Sequence, residues 1–463
     1  MMKNELMLVA IIMLLLVMKI SEKGRSNNMW IGVINVLLII NCIIDWLPMH
    51  EGELFGGVYR SYDLGNFGKN LLSTGVLLIS MFSVDWLKRC EHIVEFYLLM
   101  LSTLLGMFFM ISSGNLLVFY LSLELSTIPL AAMCNFGFED RRSGEAAMKM
   151  IMSSAFSSCL MLMGISFLYG ASGTLSFEVL TIVLQETPLY IMGFVLLFVG
   201  VAFKLSVVPF HLWTADVYEG SPIPVTAFLS VISKAAMIIV FTFLLYNVFG
   251  SLNRTWYILL YVLSIVTMIT GNIFAIRQEN IKRFLAFSSI TQVGYILVGI
   301  SGSSAEGVTS SIYFIVVYLF SNIAAFGVIS QVAEKSGRET ISSYRGLSKQ
   351  NPFLAWTMAI ALFSLAGIPP TAGFFGKIFL LKAGASNGDL FLITIAALNM
   401  IIALYYYLRV IRAMFMDENE EVIPKMKSGL SLKFALVVCL VGILVTGFSG
   451  SVYEYILSLS KGI

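Results

Sequence analysis

Runs of about 20 predominantly apolar residues are long enough to cross a bilayer as helices, because each backbone polar group is then bonded within its own segment. Fourteen such runs follow one another here, near residues 4–20, 29–47, 70–87, 93–112, 115–134, 146–170, 188–214, 224–249, 255–276, 284–301, 308–333, 353–380, 388–414 and 431–457. The connections are short, and the three longest lie near 48–69, 334–352 and 415–430. The pattern predicts an all-α polytopic membrane protein with no strands.

Composition agrees. Of 463 residues, 58% are hydrophobic and only 12% charged, against about 25% charged in soluble domains. No hydrophilic block is long enough for a soluble catalytic module, so a single membrane domain over 1–463 is expected. The first apolar run is not followed by a small-residue cleavage site and is read as a retained span. A net charge of +2, from 29 basic and 27 acidic residues, implies no nucleic-acid partner. The five cysteines are scattered, and neither CxxC nor a Cys/His cluster is present to hold zinc or iron–sulfur. The acidic run Asp417-Glu418-Asn419-Glu420-Glu421 is either a solvated loop or a docking patch.

Lysine and arginine mark the cytoplasmic side of a membrane protein. Connections after odd-numbered spans, with the adjoining span ends, carry nineteen of them, among them Lys23, Arg25 and Lys282. The even-numbered connections and both ends carry six: Lys3, Arg60, Lys69, Arg254, Lys382 and Lys461. Both termini are therefore expected outside, on the periplasmic side. The four remaining basic residues, Lys149, Lys204, Lys234 and Lys377, fall inside apolar spans.

Lys204 stands five residues before Pro209 in the seventh span. The lysine is costly in lipid, and the proline frees backbone groups that lipid cannot satisfy. Phe203-Lys-Leu-Ser-Val-Val-Pro209 also matches Phe363-Ser-Leu-Ala-Gly-Ile-Pro369 of the twelfth span, at an offset of 160, and Asn115…Phe119 aligns with Asn280…Phe284 at 165. Five spans separate the copies, so the second is inverted in the membrane. Inverted repeats with helices broken at corresponding places point to a transport site near the bilayer midplane. The expected division is three N-terminal helices over 1–92, a first repeat over 93–249, a second over 255–414 and a last helix over 431–457.

Glu124 joins the four lysines as a fifth charge within an apolar span. Each costs about 2.5–3.5 kcal/mol at mid-membrane, and five together more than roughly 10 kcal/mol, so they must be paired, hydrated or neutral. Lys149 follows Glu145 by four positions, the favourable order on one helix face. Lys377 closes the Pro369-Pro370…Gly373-Phe-Phe-Gly376 break. Packing salt bridges or snorkelling side chains are the structural alternative. His211, two residues past Pro209, is either a satisfied core histidine or a proton relay. Burial disfavours a charged lysine and a carboxylate partner favours it. A lysine whose partner approaches and withdraws can therefore take up and release a proton. Moving one proton against about 180 mV requires roughly 4 kcal/mol, within reach of making and breaking one buried ion pair.

Leu123-Glu-Leu…Pro129, Gly144-Glu-Ala-Ala-Met-Lys149, Phe203-Lys-Leu-Ser-Val-Val-Pro-Phe-His-Leu-Trp-Thr-Ala-Asp-Val-Tyr-Glu-Gly-Ser-Pro222 and Pro224-Val-Thr-Ala-Phe-Leu-Ser230…Lys234 together resemble the antiporter-like membrane subunits of respiratory complex I. Within that group the chain is most similar to the subunit N (subunit 2) branch of bacterial NADH–quinone oxidoreductase. Lys377 and the short stretch after the fourteenth span set it apart from the siblings. Ala215 departs from the usual proline before Asp216. The resemblance implies fourteen helices with inverted five-helix repeats. It also implies that Glu124 pairs with Lys204, that Lys234 is a central relay, that Lys377 serves the exit half-channel, and that Lys149 and His211 are further polar positions. The expected function is proton translocation coupled to electron transfer elsewhere, so no redox site is expected in this chain. NAD, FMN, iron–sulfur clusters and quinone are expected in partner subunits, and the partners are a neighbouring antiporter-like subunit, small membrane subunits and lipid. A cation/proton (Mrp-type) antiporter subunit and a purely structural membrane subunit are the alternatives.

Overall fold

The computed structural model describes residues 1–20, 26–138, 140–302, 304–418 and 423–461; Lys23, Arg25 and Asn419–Glu421 lie outside the described residues. The chain folds as fourteen spans. The first six are Lys3–Ile20, Asn27–Asp45, Asp63–Phe82, Ile93–Ile111, Leu116–Cys134 and Arg141–Ser172. The seventh is split into Pro188–Leu205 and Leu212–Gly220, and the eighth runs over Ile223–Val248. Then come Asn253–Ile276, Ile281–Ser301 and Ala305–Ser336, the split twelfth (Pro352–Ala366 and Ala372–Gly384), Leu390–Phe415 and Leu430–Phe448. Among the described residues eleven helices are by themselves long and apolar enough to cross. The first and third, which carry charged and polar residues, and the divided twelfth complete the set.

Two expectations need correction. The pattern predicts no strands, but in the connection 48–69 Gly52–Leu54 and Tyr59–Ser61 pair antiparallel around Gly56 and Gly57, whose positive φ angles turn the chain. The third span begins at Asp63 rather than near 70, so Lys69 lies inside it and is buried, not in a loop. Its first turns look like a loop because they carry Asn66, Lys69 and Asn70, yet that polar face is turned inward. Lys282 is also buried at a span end, paired with Glu339 at 3.0 Å.

The repeat recurs in backbone detail. The sixth and eleventh spans both have 32 residues and both end on a left-handed glycine, Gly173 and Gly337. Each is tied back to the preceding span by a two-bond bridge. Leu116 N–H donates to Leu175 O and Phe177 N–H to Gly114 O; Ile281 N–H donates to Glu339 O and Ile341 N–H to Glu279 O. The capping asparagines Asn115 and Asn280 open the fifth and tenth spans. The first halves of the seventh and twelfth spans both end on a residue of positive φ, Ser206 and Gly367. The eighth, tenth and eleventh spans form the centre, with 94% or more of their apolar windows buried, against 28% for the second span. They are buried on all sides, as helices enclosed by other helices are, and their few polar side chains face neighbouring helices rather than lipid.

The break in the twelfth span depends on a close approach. A Cβ on Gly373 would sit 1.7 Å from Ser364 O, backbone of the other half. Gly373→Ala is expected to force the halves apart at a cost of about 1–3 kcal/mol, read as a lower melting temperature of the purified protein. Gly170→Ala, whose Cβ meets nothing within 4 Å, is the control and should not lower it.

Candidate functional site

The seventh span stops at Ser206, and its freed ends are sealed by local bonds. Val207 N–H donates to Ala202 O, Trp213 Nε1–H to Phe203 O and Val208 N–H to Thr267 Oγ1. Lys204 belongs to the last turn of the first half, where the helix dipole favours a cation. It is buried, and its Nζ has no hydrogen-bond partner. Glu124, half-buried on the fifth span, is near enough to act on Lys204 electrostatically, yet it forms no ion pair with it, and its Oε1 is also unpartnered. The pairing that the resemblance implies is thus absent from this conformation. His211 opens the second half, buried, with Nδ1 unpartnered.

Lys234 follows the π-helical turn Phe228–Ser233 of the eighth span. Such turns rotate a helix face and cluster at functional sites. Lys234 is 2% exposed, donates to Ser289 Oγ at 2.9 Å and lies 5.8 Å from the centre of the Tyr218 ring. Tyr218 comes from the second half of the seventh span, so the first break and the central lysine share a wall.

Lys377 is 1% exposed and belongs to the second half of the twelfth span. It donates to the carbonyls of Leu365 (2.7 Å) and Ala366 (3.0 Å), which the break has freed at the end of the first half. Its ammonium also faces the Tyr295 ring at 5.0 Å. The two breaks are therefore used in opposite ways. Lys204 rides on its own first half and bonds to nothing, whereas Lys377 crosses its break and caps the opposing half.

Polar side chains of the tenth span lie between Lys234 and Lys377. Ser289 receives Lys234, Ser288 bonds Tyr407, and Gln292 donates to Tyr407 OH (3.0 Å) and to the same Leu365 carbonyl (2.9 Å). Nothing in the sequence flagged these residues singly. The usable signal was Ser288, Ser289 and Gln292 on adjoining turns of a helix buried on every side.

Lys149 is placed differently from the other three lysines. It is 40% exposed and pairs with Glu145 at 2.7 Å, as its spacing predicts, but also with Asp216 at 2.6 Å. Arg283 bonds Asp216 at 2.6 Å and Glu219 at 2.9 Å. These five groups line an open cavity of about 240 Å³ together with Arg142. Asp216, Glu219 and Arg283 were not anticipated, because charges near span ends look like ordinary loop charges. Among the described residues no group of three or more His, Cys, Asp or Glu side chains is gathered to hold a metal.

Residues 113–403 match the family described as NADH:quinone oxidoreductase/Mrp antiporter, TM. The chain is 43% identical to NADH-quinone oxidoreductase subunit N of Azobacteroides pseudotrichonymphae, over 100% of this chain and 98% of that protein. Among solved structures, a chain of respiratory complex I from Thermus thermophilus superposes with a TM-score of 0.81 at 28% identity, covering 96% of each chain. A chain of the Mrp complex from Dietzia superposes with a TM-score of 0.81 at 21% identity, over 99% of this chain and 92% of that one, and so shares the fold. With its whole length aligned at 43% identity, the chain belongs to the family of NADH-quinone oxidoreductase subunit N.

Proposed function

We propose that this chain is the proton-translocating, antiporter-like subunit N of an NADH-quinone oxidoreductase, moving protons across the membrane while electron transfer takes place in other subunits. The observation that supports this most is the series of three buried lysines with graded partners. Lys204 has none, Lys234 has one hydroxyl, and Lys377 has two freed carbonyls. An ammonium offers three donors, so none of the three is saturated by the protein, and each has capacity to exchange a proton with water or a moving partner.

In this reading Glu124 and Lys204 are a separable pair. Approach of the carboxylate favours the charged lysine, and withdrawal favours proton release toward Lys234. The ring of Tyr218 and the hydroxyl of Ser289 adjoin Lys234, and Gln292 and Tyr407 continue toward Lys377 at the exit half. Lys149, Asp216 and Arg283 form the charged mouth on the side that the lysine and arginine bias assigns to the cytoplasm, and His211 stands at the first break. The two repeats are taken as 93–249 and 255–414. The chain is placed in the bacterial cell membrane with both termini periplasmic. Neighbouring complex I membrane subunits are its partners, and flavin, iron–sulfur and quinone chemistry is assigned to other subunits.

Mrp-type exchange is the competing reading; the Mrp likeness, at 21% identity, supports only the fold. Purification of the chain with its native partners separates the two. NADH-dependent acidification by the reconstituted assembly is expected. Sodium–proton exchange without any response to NADH would overturn the assignment.

A further inference from the structure

A second cluster of buried charge lies in the first three spans, apart from the lysine series. Lys69 and Glu5 form an ion pair at 2.6 Å with both side chains 1% exposed. The ammonium also donates to Tyr59 OH at 3.3 Å and to Ser112 Oγ, so its three N–H groups are all used. Lys69 is a fixed cation, committed to Glu5.

Asp45 has no such partner. It ends the second span, is 1% exposed, and its Oδ2 accepts from Asn41 Nδ2 at 2.8 Å and from Ser73 Oγ. Its Oδ1 is buried and receives nothing. The charged and titratable groups around it are Lys3 and Glu5 from the first span, Lys69 from the third and Cys42 on its own helix. Lys3 is near enough to act on Asp45 electrostatically, but its ammonium donates to the main-chain carbonyls of Asp45 (3.4 Å) and Leu47 (2.6 Å), not to the carboxylate. Of the two carboxylates, only Glu5 has an ammonium bonded to it. Three more buried oxygens of the cluster lack a donor: Asn4 Oδ1, Glu5 Oε2 and Asn41 Oδ1. The four charged groups sum to zero, yet the cluster is short of donors, and no cation reaches the Asp45 carboxylate. Leaving a buried carboxylate oxygen without a donor is costly. One proton relieves this, because it neutralises the unpaired carboxylate and turns an orphaned acceptor into a donor.

We propose that Asp45 is a proton-binding site, separate from the lysine series, that exchanges with water at the surface where the chain begins. Protonation places H⁺ from that water on Oδ1, and release returns it there. Access is short, since Asp45 is the last residue of its span and the chain continues from it to the exposed His50 and Glu51. Glu5 keeps Lys69, so the cluster, Lys3 included, alternates between singly positive and neutral.

Infrared difference spectra of the assembled complex, recorded across a pH titration, test the assignment. A carboxylic-acid C=O band that fades on alkalinisation is expected in the wild type and is lost in Asp45→Asn. Asparagine has the shape of the protonated acid, so Asp45→Asn should also assemble at the wild-type level. Identical titration spectra for wild type and Asp45→Asn would overturn the proposal. Failure of Asp45→Asn to assemble would overturn it too, because it would mean that the ionised carboxylate is required.

Discussion

Lys234→Met abolishes most NADH-driven proton movement through this subunit while the complex still assembles. Methionine fills nearly the volume of lysine and is at home among Tyr218, the Ser289 face and the surrounding apolar helices. It cannot carry a proton. Removal of a positioned acid–base group costs about 10²–10⁴ in the rate of the transfer it serves. The reading is the number of protons moved per NADH oxidised, with assembly checked on the same membranes. Lys234→Arg is the sharper variant: a guanidinium does not give up its proton in proteins, so charge and hydrogen bonding are kept and only exchange is lost. Arginine should therefore fail as methionine does. If Lys234→Met pumped at the wild-type ratio, the lysine would be a packing element, and a purely structural role for the chain would gain.

What the sequence makes legible follows from cost. A lysine in an apolar run and a proline beside it are both expensive, so Lys204, Lys234, Lys377 and the two breaks stand out. The repeat shows through because the same breaks and the same capping asparagines recur at nearly one offset, and the structure ties both copies with equivalent backbone bonds. Uncharged polar residues carry no such signal. Ser288, Ser289, Gln292 and Tyr407 are inexpensive in a membrane helix when a neighbouring helix can bond them, and only their three-dimensional meeting reveals a row. Lys69 was hidden for another reason. Hydropathy averages over a window, and Asp63, Asn66, Lys69 and Asn70 lower it enough to resemble a loop, although the helix turns Asn66 and Lys69 inward. The partner that explains Lys69 is Glu5, 64 positions away on another span, beyond any local pattern.

Lys69→Met destabilises the three-span N-terminal unit by about 3–5 kcal/mol, the usual result of leaving one member of a buried ion pair without its partner. The Glu5 carboxylate stays enclosed, with Tyr59 and Ser112 no longer bridged to it through the ammonium. The effect spreads beyond the unit, because the third span packs against the eighth. Gly68 meets Ile239, and Gly75 meets Ile232, two residues from Lys234. The double variant Glu5→Gln with Lys69→Met removes both charges and should recover most of the loss, since a buried pair is often neutral to replace as a whole. The measurement is the temperature at which this chain dissociates from the solubilised complex, compared across wild type, the two single variants and the double. A double variant as unstable as the sum of the singles would mean that the two groups act independently. The 2.6 Å contact would then contribute nothing specific, and the third span would owe its position to apolar packing alone.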